Sequence, residues 1–153
     1  MKTIKKLAII FAIIFCMLPI SAFASAEVLP AGYVGNTDAL IDVKNPDSPV
    51  SSTTNRVCVV SAVAVPGTTV TLYSYDSTLN QYNKMYSQGK AFESVVGAAG
   101  LYAQNIELKG GSNTILVVAT SGNLTETVKL DITMIRSDVA ENIINIWQTL
   151  IDY

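Results

Sequence analysis

Residues 124–135 read LTETVKLDITMI, and no other stretch limits the possible fold so tightly. Val128, Leu130, Ile132 and Met134 take every second position, with Thr127, Lys129, Asp131 and Thr133 between them. Successive side chains of an extended strand point to opposite faces, so this pattern predicts a half-buried β-strand with one wet face. Shorter runs precede it, each closed by turn residues: 40–44 before NPDSP, 56–64 before Pro66-Gly67, and 69–75. Then come 82–86 and 92–96 on either side of SQGK, 101–108 after GAAG, and 113–120 after KGG. Many short strands with turn signals between them predict an all-β chain, an antiparallel sandwich whose apolar faces meet in one core. Val60, Val70, Leu72, Ile115, Val117, Val128, Leu130 and Ile132 are expected in that core. Tyr102 joins them because it shares a face with Ile106 and Leu108. Residues 38–136 form this domain, and 27–37, EVLPAGYVGNT, read as a flexible lead-in with no sustained period.

Both ends of the chain depart from the strand pattern. Residues 1–26 read as a secretory signal peptide: Lys2, Lys5 and Lys6, an apolar run over 7–20, then small residues at Ala24 and Ala26. Cleavage is expected after Ala26, or after Ala24, and the mature protein is then secreted, extracytoplasmic or at the cell surface. The competing reading is a retained anchor, but the apolar run is short of the ~20 residues a spanning helix needs. No later segment is long and apolar enough to span a bilayer. At the other end, 137–153 change to a helical period. Val139, Ile143, Ile146, Trp147, Leu150 and Ile151 make an apolar side, and Asp138 with Glu141 offers a capping box. This short C-terminal α-helix is expected to hide Ile143, Trp147, Leu150 and Ile151 against its own sandwich, in a homodimer, or on another exported protein.

Loss of the signal's three lysines leaves seven basic residues against twelve acidic ones, a balance unsuited to nucleic acid or anionic lipid. The chain has no histidine, the usual base of a nucleophile triad and the commonest transition-metal ligand. Glu93, Glu107, Glu126 and Asp131 are scattered over strands and read as solvated charges. No calcium loop or phosphate-binding glycine pattern is present, so no cofactor, metal or catalytic residue is expected. Cys58 is left alone once the signal carrying Cys16 is gone, and its apolar run predicts a buried, inert thiol. Lys44 and Asp131 are not expected to form an isopeptide bond, because alternation puts Asp131 on the wet face. NLT at Asn123 reads as a turn.

The stretch AVPGTTVTLYSYD, 64–76, raises the question of a binding face. Alternation turns Val70 and Leu72 inward and Thr71, Tyr73 and Tyr75 outward. Tyr82 and Tyr86 follow on the next strand. An exposed row of tyrosines supplies rigid contact area for a protein or a polysaccharide. It is also what an ordinary sheet surface with cross-strand aromatic pairs looks like.

VAVPGTTVTLYSYD, GLYAQNIELKGGSNTILVVAT and SGNLTETVKLDITMI, in that order and spacing, resemble a bacterial immunoglobulin-like domain of secreted and cell-surface proteins. The resemblance covers about residues 38–135. It implies an immunoglobulin-like antiparallel β-sandwich that acts as a spacer, adhesive module or partner-binding appendage, and seldom as an enzyme. Two departures stand out: the chain holds one copy where the family often has tandem arrays, and the C-terminal helix is foreign to the module. The expected function is a secreted, non-catalytic interaction or adhesion-type module. The alternatives are a carbohydrate-binding module using the tyrosine face and, against the missing histidine, a small secreted enzyme.

Overall fold

The computed structural model describes residues 25–136, and among these it is all-β. The strands are β1 (Val28–Pro30), β2 (Ile41–Asn45), β3 (Val50–Thr53), β4 (Val57–Ala64), β5 (Thr69–Asp76) and β6 (Gln81–Lys84). They continue as β7 (Tyr86–Ser87), β8 (Lys90–Ala91), β9 (Glu93–Val95), β10 (Leu101–Glu107), β11 (Gly111–Ser121) and β12 (Leu124–Met134). The larger sheet runs β1-β6-β5-β11-β12-β3, with β9 also on β5; the smaller runs β10-β4-β2; β7 and β8 make a separate pair. The cleavage position Ala24, the leader before it and the helix over 137–153, with Ile143, Trp147, Leu150 and Ile151, lie outside the described residues.

β11 and β12 form the longest ladder, from Gly111↔Met134 to Ser121↔Leu124. Its two-residue turn is Gly122-Asn123, and Gly122 takes φ 57°, the left-handed backbone a tight hairpin needs at its first central position. Asn123 thus sits in a turn, as its sequence implied. β5 pairs with β11 on one side. Its other edge is shared: β9 takes Thr69–Thr71 and β6 takes Tyr73–Asp76.

The two larger sheets share one core. Val60, Ala62 and Ala64 of β4 and Tyr102 and Ile106 of β10 meet Val70 and Leu72 of β5, Ile115, Val117 and Ala119 of β11, and Leu130 and Ile132 of β12. All eight residues expected in the core are in this cluster, Val128 being half-buried at its margin. Tyr102 is buried as expected, and burial pushes its phenol pKa up. Cys58 is half-buried against the same core, and desolvation likewise raises its thiol.

Three features correct the sequence reading. First, 27–37 is not a loose lead-in. Val28–Pro30 pairs with β6 as an edge strand, where the missing N–H of Pro30 costs nothing. Gly35, Asn36 and Thr37 then dock on β12: the Asn36 and Thr37 amides donate to the Thr125 carbonyl at 2.7 and 3.2 Å, and the Thr125 amide donates to Asn36 Oδ1 at 2.8 Å. The approach at Gly35 is so close that a Cβ there would lie 2.3 Å from the Thr125 carbonyl oxygen. Second, residues 50–53 form an unexpected strand, β3, and its pairing with β12 is parallel. Third, the central strands are buried on both faces. Leu116 and Val118 of β11 point away from the main core and form a second cluster with Leu29, Tyr73 and Tyr82.

Candidate functional site

The second cluster decides the fate of the tyrosine row. Thr71, Tyr73 and Tyr75 do share one face of β5, as alternation requires, but the residues flanking the edge strand β1 lie against that face: the Ala26 carbonyl takes the Tyr73 hydroxyl, and Tyr33 packs on the cluster. Tyr73 is only 1% exposed, Tyr82 is buried beside Leu29, and Thr71 is buried as well. Tyr75, at 36%, and Tyr86, at 49%, remain open to solvent. The expected four-tyrosine surface is therefore not a surface. Two of its rings are interior because the chain's own N-terminal segment packs on them. The Tyr75 and Tyr82 rings pair across β5 and β6 with centroids 5.2 Å apart. The Tyr75 hydroxyl donates to Asn80 Oδ1 at 2.7 Å.

Under the same cover lies a cluster of charges that the sequence reading did not assemble. Lys84 follows Tyr82 on the covered face of β6, and Glu93 of β9 stands opposite Thr71 of β5. Lys84 Nζ donates to the Ser25 carbonyl at 2.6 Å and to Glu27 Oε1 at 3.1 Å, and lies 3.3 Å from Glu93 Oε2. The Ser25 hydroxyl donates to Glu93, and that of Tyr86 to Glu27. The Thr71 hydroxyl donates to Ser25 Oγ at 3.2 Å, and that of Tyr73 to the Ala26 carbonyl at 2.7 Å. Burial works to lower the Lys84 pKa, but the bonds to Glu27 and Glu93 outweigh it and hold the value above the ordinary one. Burial raises the Glu93 carboxyl, and the Ser25 hydroxyl and Lys84 more than reverse this, leaving it below the usual range. Tyr86 and Lys84 lower Glu27. Only alternation could have flagged this group: Tyr82, Lys84 and Tyr86 have the same parity, so a lysine on a buried tyrosine face needs partners.

The remaining carboxylates divide. Glu107 is exposed, 3.8 Å from Arg56. Asp131 is half-buried; it accepts from Thr114 Oγ1 at 2.6 Å and lies 3.0 Å from Lys129. Lys44 pairs with Asp42 on β2, so Lys44 and Asp131 each have other partners. Glu126 is buried, contrary to its reading as a solvated charge. Its Oε2 accepts the Leu40 and Ile41 amides at 2.7 and 2.9 Å, tying the start of β2 to β12. Among the described residues, no group of three or more Cys, Asp or Glu is placed to hold a metal ion.

The other open surface is the outer side of the β10-β4-β2 sheet. Val57, Val59 and Val63 of β4 and Leu101 and Ala103 of β10 face outward, with Leu101 paired to Val63 and 70% exposed. Charged residues flank them: Asp42 and Lys44 on β2, Arg56 and Glu107 at the far end. Ser61 lies between Val59 and Val63, and Asn105 opposite Val59, so the exposed aliphatic side chains are interspersed with polar ones, a mixture that protein interfaces share. Compared with family models, with curated proteins and with solved structures, the chain matches none.

Proposed function

We propose that the chain is an exported, non-catalytic interaction module with an immunoglobulin-like sandwich architecture, and that the β10-β4-β2 face is its docking surface. The strand order supports the architecture. β2, β4 and β10 stand where strands A, B and E would, and β5, β11, β12 and β6 where C, F, G and C′ would. β3 then continues the first strand on the opposite sheet. The leader-like sequence of residues 1–26 supports export. The non-catalytic reading draws on the Lys84 cluster, whose polar groups are taken up by Ser25, Ala26 and Glu27 of the chain itself.

The observation that carries the docking surface is the exposure of four aliphatic side chains, Val57, Val59, Val63 and Leu101, on one sheet face, with Ser61 and Asn105 among them. The occupant is an aliphatic patch on another protein, because the row presents no aromatic ring for a sugar to stack on. A photo-reactive side chain at position 59 or 101 of the exported full-length chain tests this. The expected product is a cross-link to one protein, identified by mass and lost on Leu101→Glu. Cross-links only within the same chain overturn it. The carbohydrate alternative retains Tyr75 and Tyr86, the two open rings. Polysaccharide binding that is lost on Tyr75→Ala and unaffected by Leu101→Glu would favour that reading.

A further inference from the structure

We propose that the leader is cut between Ala24 and Ser25, and that the new N-terminus of Ser25 is seated by Glu93 and Lys84 as part of the fold. The inference rests on the export reading above and deepens it. The sequence offers two overlapping frames with the small-x-small spacing a leader peptidase takes: Ala22-Phe23-Ala24 and Ala24-Ser25-Ala26. Composition favours neither.

The fold distinguishes them. Ser25 and Ala26 supply four of the bonds that close the covered face: Ser25 Oγ to Glu93, Thr71 Oγ1 to Ser25 Oγ, Lys84 Nζ to the Ser25 carbonyl, and Tyr73 OH to the Ala26 carbonyl. A cut after Ala26 removes all four. It strips the Tyr73 hydroxyl of its acceptor and Lys84 of its 2.6 Å partner, in a place where unmatched polar groups are costly. It also leaves an ammonium on Glu27, whose carboxylate is already 3.1 Å from the Lys84 ammonium. A cut after Ala24 keeps every bond. Glu93 already accepts from the Ser25 hydroxyl, which sets the backbone N–H of the same residue near that carboxylate. Cleavage turns that N–H into an ammonium beside a carboxylate. Lys84, Glu27 and Glu93 set one cation against two carboxylates, and the Ser25 ammonium supplies the missing positive charge.

The step is peptide hydrolysis by a leader-cleaving endopeptidase. Water gives its hydroxyl to the Ala24 carbonyl carbon and its other proton to the Ser25 nitrogen as the C–N bond breaks; at neutral pH the new Ala24 carboxyl releases its proton and the Ser25 amine takes one up, leaving a carboxylate and an ammonium. The ammonium makes a charge-assisted bond where the uncut chain has a neutral amide.

Intact mass and N-terminal sequencing of the full-length chain, expressed in an exporting host, test the site. A mature chain beginning at Ser25 is expected. One beginning at Glu27 overturns the proposal and leaves export standing; one retained in the cell with Met1 overturns the export reading itself. Ala22→Gln disables the first frame alone, and Ala26→Gln the second alone. Ala26→Gln should leave the Ser25 start and the melting temperature unchanged. Ala22→Gln should either stop release, which supports the first frame, or yield a Glu27 start that melts about 5 °C or more below wild type. A Glu27 product that melts with wild type overturns the seating. So does a Glu93→Gln exchange that lowers the melting temperature equally in chains starting at Ser25 and at Glu27.

Discussion

The molecule has two outward sheet faces, and they differ in what lies over them. The outer side of the larger sheet carries Tyr73, Tyr82, Leu116 and Val118, and the chain's own residues 25–33 cover it. The outer side of the smaller sheet carries Val57, Val59, Val63 and Leu101, and no described residue buries them. By sequence the first looked like the binding face and the second like plain strand. The difference teaches that a row of aromatic residues on an outer face does not distinguish a ligand surface from a second core. What distinguishes them is whether a distant segment pairs with the neighbouring edge, as β1 does with β6.

Tyr73→Ala bears hardest on this contrast. A buried ring with its hydroxyl bonded should cost about 3–5 kcal/mol in denaturant unfolding. A loss within ~0.5 kcal/mol, the scale of surface changes, would restore the exposed row. Gly35→Ala comes next. Its Cβ would meet the Thr125 carbonyl, so the docked segment must shift, with a cost of about 1–3 kcal/mol on the scale of overpacking. Wild-type stability in this variant would show that 35–37 do not hold the cover in place. Glu126→Ala orphans the Leu40 and Ile41 amides and should cost about 1–3 kcal/mol in the same measurement.

How far these features were legible follows from their range along the chain. The inner face of β12 was plain because parity is local: Val128, Leu130 and Ile132 announce it. Glu126 belongs to the same parity and so was readable as an inward carboxylate, but its partners lie 85 and 86 residues away. The two-sided burial of β11 was also written in ILVVA, an unbroken apolar run of the kind found in strands covered on both sides. The cover itself was not legible. Pro30, Gly32 and Gly35 give 27–37 the composition of a loop, and only pairing with β6 and contact with β12 make it structure. β3 was hidden for a similar reason: VSST is short and its parallel partner lies some eighty residues on.

The charge cluster under the cover predicts a smaller, pH-dependent effect. Glu93 and Glu27 sit below their ordinary values in the fold, so the unfolded chain takes up protons first as pH falls. Their contribution is present above the ordinary carboxylate range and is lost as pH drops through the lower folded values. Lys84 has the opposite sign: its contribution is full below its ordinary value and fades as pH rises through the higher folded one. Melting temperature followed against pH should therefore fall on the acid side, and less steeply in Glu93→Gln. An unchanged acid slope in that variant would mean that Glu93 does not hold the cover.

The smallest effect is expected on the open face, and its smallness is the point. Leu101→Ser and Val59→Thr should each change stability by less than ~0.5 kcal/mol, because an outward side chain with nothing over it loses no burial. A loss above about 1 kcal/mol would mean that the face is covered within the chain after all. Residues 137–153 are the segment to test then, since their helical period offers the apolar side of Ile143, Trp147, Leu150 and Ile151. Repeating the two substitutions in a chain ending at Arg136 makes a double-mutant cycle. A cost seen in the full chain and absent from the shortened one assigns the cover to the C-terminal segment, and the two outward faces become alike, each covered by one end of the chain. Small costs in both leave the contrast intact, with one face closed by the N-terminal segment and the other free for a partner.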